Sequence, residues 1–328
     1  MRNLECETSQ PEVTLGDVSV QPVAVHTPMK LQLRPLHPDF GARVLDVDLS
    51  QFLSDERFAE IEMTVEQYSV VLFRRQSLDD ESQLAFSRRF GELEFGHVAY
   101  GRDGSIEYIG HIGNIDAKDN QLPSKHRDVV FSTGNEMWHS DSSFREVPAR
   151  FSISYAYEVT SEGGELEFVS TRPAYSRLPP EMKETIADLV VIHDYVYSRS
   201  KVGEDVVSPS LAASLPPVRQ KLVRTNRATG DKNYYVGSHA RSIEGWDEED
   251  AHALLDDLVV RATKPGCRYQ HHWQAGDLLI WDNRCVLHRG RPYDADRYRR
   301  RMHQTRVAGL CSSLDEDQLD LKKIGRIR

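Results

Sequence analysis

The stretch Trp138-His139-Ser140-Asp141-Ser142-Ser143-Phe144 decides how this chain is read. On an extended strand, side chains two positions apart leave the same face, so His139 and Asp141 can offer an imidazole and a carboxylate to one ion from a single backbone segment. By itself the triplet is weak, because most His-x-Asp triplets are polar surface. Its weight comes from a second stretch far downstream, Trp281-Asp-Asn-Arg-Cys-Val-Leu-His288-Arg-Gly-Arg291, where His288 follows the strand-like run Asp277 to Trp281 after a short turn. Only a folded sheet can bring His288 to His139. Two imidazoles and one carboxylate on one face of an octahedron leave the opposite face open, which suits non-haem Fe(II) binding a cosubstrate and dioxygen together. The plainer alternative is that His288 packs in the core.

Composition sets outer limits. With 328 residues and 39% hydrophobic content, the chain can bury a full core as one large domain or two small ones. Cys6, Cys267, Cys285 and Cys311 show no Cys-x-x-Cys spacing, which argues for free thiols over a zinc ribbon or disulfide framework. The first thirty residues lack a basic start followed by an apolar run, and no stretch reaches membrane-spanning length, so a cytoplasmic protein without a membrane partner is expected. A formal charge of -10 argues against a nucleic-acid partner, with the Arg-rich run Arg289 to Arg306 as a local exception.

Residues 1–29 mix Pro, Thr, Ser and Glu without periodicity and read as a flexible tail, leaving 30–328 as a single domain. Ser54 opens a helix carrying Phe58, Ile61 and Val65, and Ser69 to Phe73 is a buried strand. Ser77, with Asp80 as its reciprocal partner, is the expected cap of the next helix, and Gly91 ends it. Residues 92–133, rich in Gly, Asp and Asn, read as long loops forming a lid. Short strands then dominate, at Phe151 to Glu158, Glu167 to Ser170, Asp277 to Trp281 and Arg300 to Val307. Helices fall after Pro179-Pro180 and across Ala251 to Leu258. The expected fold is mainly β with flanking helices, a double-stranded β-helix or jelly roll.

Further motifs accompany the two stretches: Gly163-Gly164, Ala174-Tyr175, Gly276-Asp277 and Tyr293-Asp294. From about Leu31 to Gly309 the chain resembles the taurine dioxygenase family, and within it the 2,4-dichlorophenoxyacetate dioxygenase branch. The resemblance implies an Fe(II)- and 2-oxoglutarate-dependent oxygenase with His139, Asp141 and His288 as metal ligands. Dioxygen and 2-oxoglutarate would be its cosubstrates, and a homodimer or homotetramer its assembly. Alignment on Val307-Ala308-Gly309 places Arg300 at the family's 2-oxoglutarate arginine, whereas distance from His288 selects Arg299. A two-pronged guanidinium contact to the distal carboxylate is the reason for an arginine there. Strand alternation puts Arg300, Met302, Gln304 and Arg306 on one face. His97, Tyr100 and Asn135 align with positions that contact the primary substrate. His271 and His272, being adjacent on a strand, face opposite ways and make poor joint ligands.

The chain departs from the family at two positions. Where relatives carry Asp-Thr after the Gly-Gly pair, it has Glu165-Leu166, so Leu166 cannot give the hydroxyl hydrogen bond to 2-oxoglutarate. The expected cost is about 0.5 to 1.5 kcal/mol. Gln304 stands where relatives hold an anionic substrate with arginine, so either Arg306 or Arg241 takes that role or the substrate has no anion there.

The expected reaction is oxidation of a C–H bond in a small organic molecule, coupled to decarboxylation of 2-oxoglutarate to succinate. Asp141 disfavours halogenation, because related halogenases lack that carboxylate to make room for halide. An aryloxyalkanoate is the leading substrate class. A larger apolar metabolite, terpenoid or polyketide, is the alternative that Gln304 supports, and a non-catalytic metal-binding or 2-oxoglutarate-binding protein is a third.

Overall fold

Alternation of buried side chains on three neighbouring strands builds this molecule outward from one sheet. In the computed structural model, residues 30–96, 108–203 and 206–318 are described. Their strands run in the order β1 (Gln32–Pro35), β2 (Ala42–Leu45), β3 (Val70–Phe73), β4 (Gly110–Gly113), β5 (Ala149–Glu158), β6 (Leu166–Ser170), β7 (Val190–His193) and β8 (Val218–Lys221). β9 (Val223–Thr225), β10 (Lys232–Tyr234), β11 (Ala240–Ile243), β12 (Tyr269–His271), β13 (Leu278–Asp282), β14 (Val286–Gly290) and β15 (Arg301–Ala308) follow. The helices are α1 (Asp55–Tyr68), α2 (Asp80–Arg88), α3 (Arg127–Ser132), α4 (Thr171–Ser176), α5 (Pro180–Ile186), α6 (Tyr195–Ser200), α7 (Pro209–Ser214) and α8 (Glu248–Ala262). The described residues from Leu31 onward form one compact unit.

Seven strands make the large sheet, in the order β1-β2-β3-β13-β5-β15-β4, antiparallel except where β2 meets β3. A three-stranded sheet, β12-β6-β14, packs against it, and β11-β7-β8 forms another. On β3 and β13, Val71, Phe73, Leu278 and Ile280 point to one side, where they meet Phe58, Ile61 and Val65 of α1 and Phe86 of α2. The alternate residues Val70, Leu72, Leu279 and Trp281 point to the other side and meet Phe168 of β6 and Val286 of β14. Both faces of these strands are therefore buried, as the period of two in a pleated strand allows. Val169 and Leu287, the odd neighbours on β6 and β14, turn outward into a third apolar cluster shared with α4 and α8.

Helix and strand occupy comparable shares of the described residues, so the expectation of a mainly β chain overstates the sheet. The reason lies in the outer layer: the outward faces of β6 and β14 need apolar cover, and helices supply it. Ser54 caps α1 as read, but α2 is capped by Asp79 instead of Ser77, with Ser82 completing the reciprocal box. The described parts of 92–133 are less loop-like than its composition suggests. They contribute β4, paired to β15, then α3 and a 3-10 turn at Thr133–Glu136. Cys267, Cys285 and Cys311 are free thiols.

The turn from β13 to β14 is held by buried charge. Asp282 accepts from Arg172 at 2.9 Å and from Arg284 at 2.8 and 2.9 Å, while Arg284 also reaches Glu66 at 2.7 Å. Burial alone would raise the Asp282 carboxyl, but Arg284 and Arg172 outweigh it and hold it well below the usual carboxylate range. Its stabilisation is therefore complete above the unfolded value of about 3.9 and is lost as pH falls through the lower folded value. Asp282→Asn, which leaves two guanidiniums short of their counter-charge, is expected to cost about 3 to 5 kcal/mol at pH 7. Denaturant unfolding of both proteins should show that gap narrowing between about pH 4 and pH 2; a constant gap would mean the carboxylate charge is not what holds the turn.

Candidate metal centre

Backbone pairing brings the two distant stretches together. His139 and His288 exchange both main-chain hydrogen bonds, at 3.0 and 2.9 Å, so the short segment around His139 lies beside β14. On its other edge Trp138 O accepts from Ser238 N at 2.8 Å. Gly237 permits that approach: its φ is +131°, and a Cβ there would stand 3.2 Å from His139 Cα. His288 occupies the face of β14 that looks toward the large sheet, its ring 4.9 Å from that of Trp281.

The donor atoms of His139, Asp141 and His288 lie within 4.8 Å of one another. Asp141 Oδ1 is 3.7 Å from His139 Nε2 and 3.7 Å from His288 Nε2. His139 Nδ1 is 2.8 Å from Met137 O, which fixes the N–H on that nitrogen and leaves the Nε2 lone pair facing the carboxylate. Asp141 Oδ2 is occupied differently, accepting from Ser152 Oγ at 2.7 Å and Gln304 Nε2 at 2.8 Å. Asn283 Nδ2 donates to Ser152 Oγ, and Asn283 Oδ1 accepts from Asp141 N and from Trp281 Nε1. One carboxylate oxygen is thereby committed to the protein, and the other is turned toward the imidazoles.

The charges suit a cation. Burial lowers both histidines, His288 to about 3, so they are neutral with open lone pairs at neutral pH. Burial would raise Asp141, but His288, His139, Arg306 and the Ser152 hydroxyl bring it down to about 2. Two neutral imidazoles and an ionised carboxylate oxygen, converging in a buried site, fit a divalent metal.

β15 decides which arginine turns inward. Trp281, Ser152 and Arg306 lie side by side across β13, β5 and β15, and Leu279, Ser154 and Gln304 form the next row. Gln304 and Arg306 thus share the inner face, as the alternation predicts. Arg299 points the other way, bonded to Glu158 Oε2 at 2.8 Å and Asp119 Oδ1 at 2.9 Å, and Arg301 joins the same surface cluster. Arg300 has no ion-pair partner among the described residues. Its backbone is clasped by the buried side chain of Asn114, and its guanidinium borders a cavity of about 90 Å³ with Thr160, Gly163, Gly164 and Trp273.

The residues expected to contact substrate have partners within the protein where they are described. Gln304 is buried and spent on Asp141. Arg241 is half-exposed and paired with Asp194 at 3.0 Å. Arg306 donates from Nε to Glu94 at 3.3 Å. Asn135 accepts from Arg199 at 2.9 Å, and Leu166 begins β6 opposite Gly290. His97 and Tyr100 lie outside the described residues. His271 is buried against Asp277 while His272 is exposed, as adjacent strand residues must be. Sequence reading missed Ser152, Glu94, Arg199 and Trp273, none of which sits in a recognisable spacing; Asn283 was visible within the Trp281 to Arg291 stretch but had no assigned task.

A buried facial set of two histidines and one carboxylate between two sheets defines a non-haem iron oxygenase site. The chain belongs to the taurine catabolism dioxygenase TauD, TfdA family, whose sequence pattern matches residues 32–306. It is an α-ketoglutarate-dependent, that is 2-oxoglutarate-dependent, dioxygenase using Fe(II). It is 38% identical over 269 residues to an "Alpha-ketoglutarate-dependent 2,4-dichlorophenoxyacetate dioxygenase" of Cupriavidus pinatubonensis, covering 81% of this chain and 94% of that one. To a "(S)-phenoxypropionate/alpha-ketoglutarate-dioxygenase" of Sphingobium herbicidovorans it is 33% identical, covering 84% and 94%. Among solved structures, AAD-2 in complex with Mn(II) and N-oxalylglycine superposes with a TM-score of 0.79 at 36% identity, covering 87% of this chain and 99% of that one.

Removing a donor from Asp141 Oδ2 should loosen the metal. Gln304→Leu and Ser152→Ala are each expected to weaken divalent-metal binding by about 10- to 100-fold, read by titrating the apoprotein with Mn(II). Unchanged affinity in both variants would show that these contacts do not orient the ligand.

Proposed function

We propose that this enzyme oxidises a C–H bond of a small aryloxyalkanoic acid. The observation that carries the reading is the inward-facing His139, Asp141 and His288 set in a chain so similar, over most of its length, to a 2,4-dichlorophenoxyacetate dioxygenase. His139 Nε2, Asp141 Oδ1 and His288 Nε2 would hold Fe(II). Bound there with 2-oxoglutarate, the iron supplies the oxidising power drawn from dioxygen.

The remaining work belongs to the chain. Arg300 would take the distal carboxylate of 2-oxoglutarate, since it has no acidic partner among the described residues and borders a small cavity whose one acidic lining residue, Glu165, stands 3.6 Å from His272. Trp273 borders the same cavity, and its Nε1 is buried without a partner, so this N–H supplies a donor where Leu166 has none. Ser152 and Gln304 keep Asp141 turned so that a single oxygen faces the ion. A lid on the 30–328 domain would draw on 92–133, of which 97–107 lie outside the described residues, as does the expected tail at 1–29. The paired sheets, sharing the apolar layer of Phe168, Leu279 and Trp281, support a double-stranded β-helix. The acidic net charge supports a cytoplasmic enzyme without a nucleic-acid partner, and none of the described helices is long and apolar enough to cross a membrane. A homodimer or homotetramer completes this reading.

Gln304 also favours a second reading, oxidation of a larger apolar terpenoid or polyketide, because its neutral amide provides no anion anchor. Pentalenolactone F synthase of Streptomyces arenae, 27% identical over 271 residues, is a relative outside the aryloxyalkanoate group.

Succinate formation from 2-oxoglutarate by the Fe(II)-loaded enzyme, across aryloxyacetates, sulfonates and terpenoid acids, separates the two. Stimulation by aryloxyacetates is expected; stimulation by terpenoids alone would transfer the conclusion to the second reading. In equilibrium binding, Arg300→Gln should raise the 2-oxoglutarate Kd about 10- to 100-fold, and Trp273→Phe by up to about 10-fold. Arg299→Gln should leave it within a factor of about two, because exposed pairs contribute little. If Arg299→Gln is the damaging change, the assignment of Arg300 is wrong.

A further inference from the structure

We propose that Arg199 receives the carboxylate of the primary substrate, the task that Gln304 cannot perform. The inference rests on the aryloxyalkanoic acid reading and adds to it the residue that recognises the acid.

Arg300 is assigned above to 2-oxoglutarate, and three other arginines already have acidic partners. Arg306 Nε donates to Glu94, Arg145 Nε stands 3.8 Å from the same carboxylate, and Arg241 is paired with Asp194. Arg199 differs. It is 7% exposed, and no carboxylate among the described residues pairs with it. Among the described residues its hydrogen bonds go to uncharged oxygens, Nη1 to Phe131 O at 3.3 Å and Nη2 to Asn135 Oδ1 at 2.9 Å, the Tyr195 hydroxyl also interacts with it, and its Nε has no partner there. A guanidinium buried without a counter-charge is costly, and a ligand anion is one way to offset that cost.

The surroundings place this cation at the metal centre. Asn135 lies four residues before His139 in the same stretch. The Tyr195 ring stands 5.3 Å from the guanidinium carbon and stacks on His239 at 6.0 Å; His239 in turn meets His139 edge-on at 6.2 Å. The Phe131 ring lies 5.0 Å from the guanidinium. The backbone also makes room for it: a Cβ on Gly134 would stand 1.7 Å from Arg199 Nη1. A carboxylate at the guanidinium, with the attached aryl group beside Phe131 and Tyr195, is the ligand this enclosure suits.

The test compares an aryloxyacetate with its uncharged aryloxyacetamide in wild type, Arg199→Gln, Arg199→Lys and Gly134→Ala. Arg199→Gln should lower kcat/KM for the acid by at least about 30-fold, mainly through KM, while the amide and the KM for 2-oxoglutarate change by less than about threefold. Arg199→Lys should recover part of the loss. Gly134→Ala keeps the charge but displaces it, and should penalise the acid selectively even if Arg199→Gln fails to fold. Equal losses on acid and amide would make Arg199 a structural tie for α3 and overturn the proposal; a raised KM for 2-oxoglutarate would move it to the cosubstrate. Wild type turning over the acid while Arg199→Gln keeps its KM sinks this inference alone, whereas wild type inert toward every aryloxy acid sinks the function reading as well.

Discussion

Two main-chain hydrogen bonds, exchanged between His139 and His288, are the constraint on which the site depends. They join segments far apart in the chain, and the pairing works only if β14 is fixed against β6 and the turn before it is fixed against the large sheet. β14 is fixed by Val286 and Leu287, which enter apolar layers on opposite sides. The turn is fixed by the buried Asp282 with Arg172 and Arg284. Packing and buried charge thus cooperate: one orients the strand's faces, the other sets where the strand begins. A buried ion pair is weak as a source of stability but effective at specifying one geometry, and here the geometry specified is that of a ligand strand.

The electrostatics of the centre follow from a division between the two oxygens of Asp141. One accepts from Ser152 and Gln304, the other faces two imidazoles held neutral by burial. A divalent ion brings the positive charge that neutral histidines withhold, so desolvation of the histidines and ionisation of the aspartate favour the same occupant. Trp281 and Asn283 extend the arrangement, since the indole N–H steadies the amide that in turn steadies Ser152.

Much of this was legible in the residues because it depends on local periodicity. Alternation along β15 puts Gln304 and Arg306 on one face, while Arg300 precedes the strand and Arg299 and Arg301 pair with Glu158 and Asp119 at the surface. The pair His139 and Asp141 was legible from its short spacing, although only His139 pairs as a bridge and Asp141 opens the turn that follows. What could not be read depends on tertiary approach. Ser152 and Trp273 become interesting only once β5 lies beside β15 and the loop after β12 reaches the cavity at Arg300. α4 and α6 escape a reading by periodicity because each spans six residues, too few to display a 3.6-residue pattern. In 92–133 the Gly and Asn content hid β4, a strand whose pairing comes from β15 and not from its own propensity.

Gln304 has a consequence for how such an enzyme can change its diet over evolutionary time. Its amide steadies a metal ligand at the position where the resemblance would put a substrate contact, so a change there acts on the metal centre as well. An apolar replacement would widen the pocket but leave a buried carboxylate oxygen short of a donor; a cationic one would keep the donor but crowd positive charge against Arg306 and the ion. Substrate range is therefore freer to shift through residues that do not touch the ligands, and an exchange at 304, such as the arginine that relatives carry there, has to be matched by changes around Asp141 and Arg306.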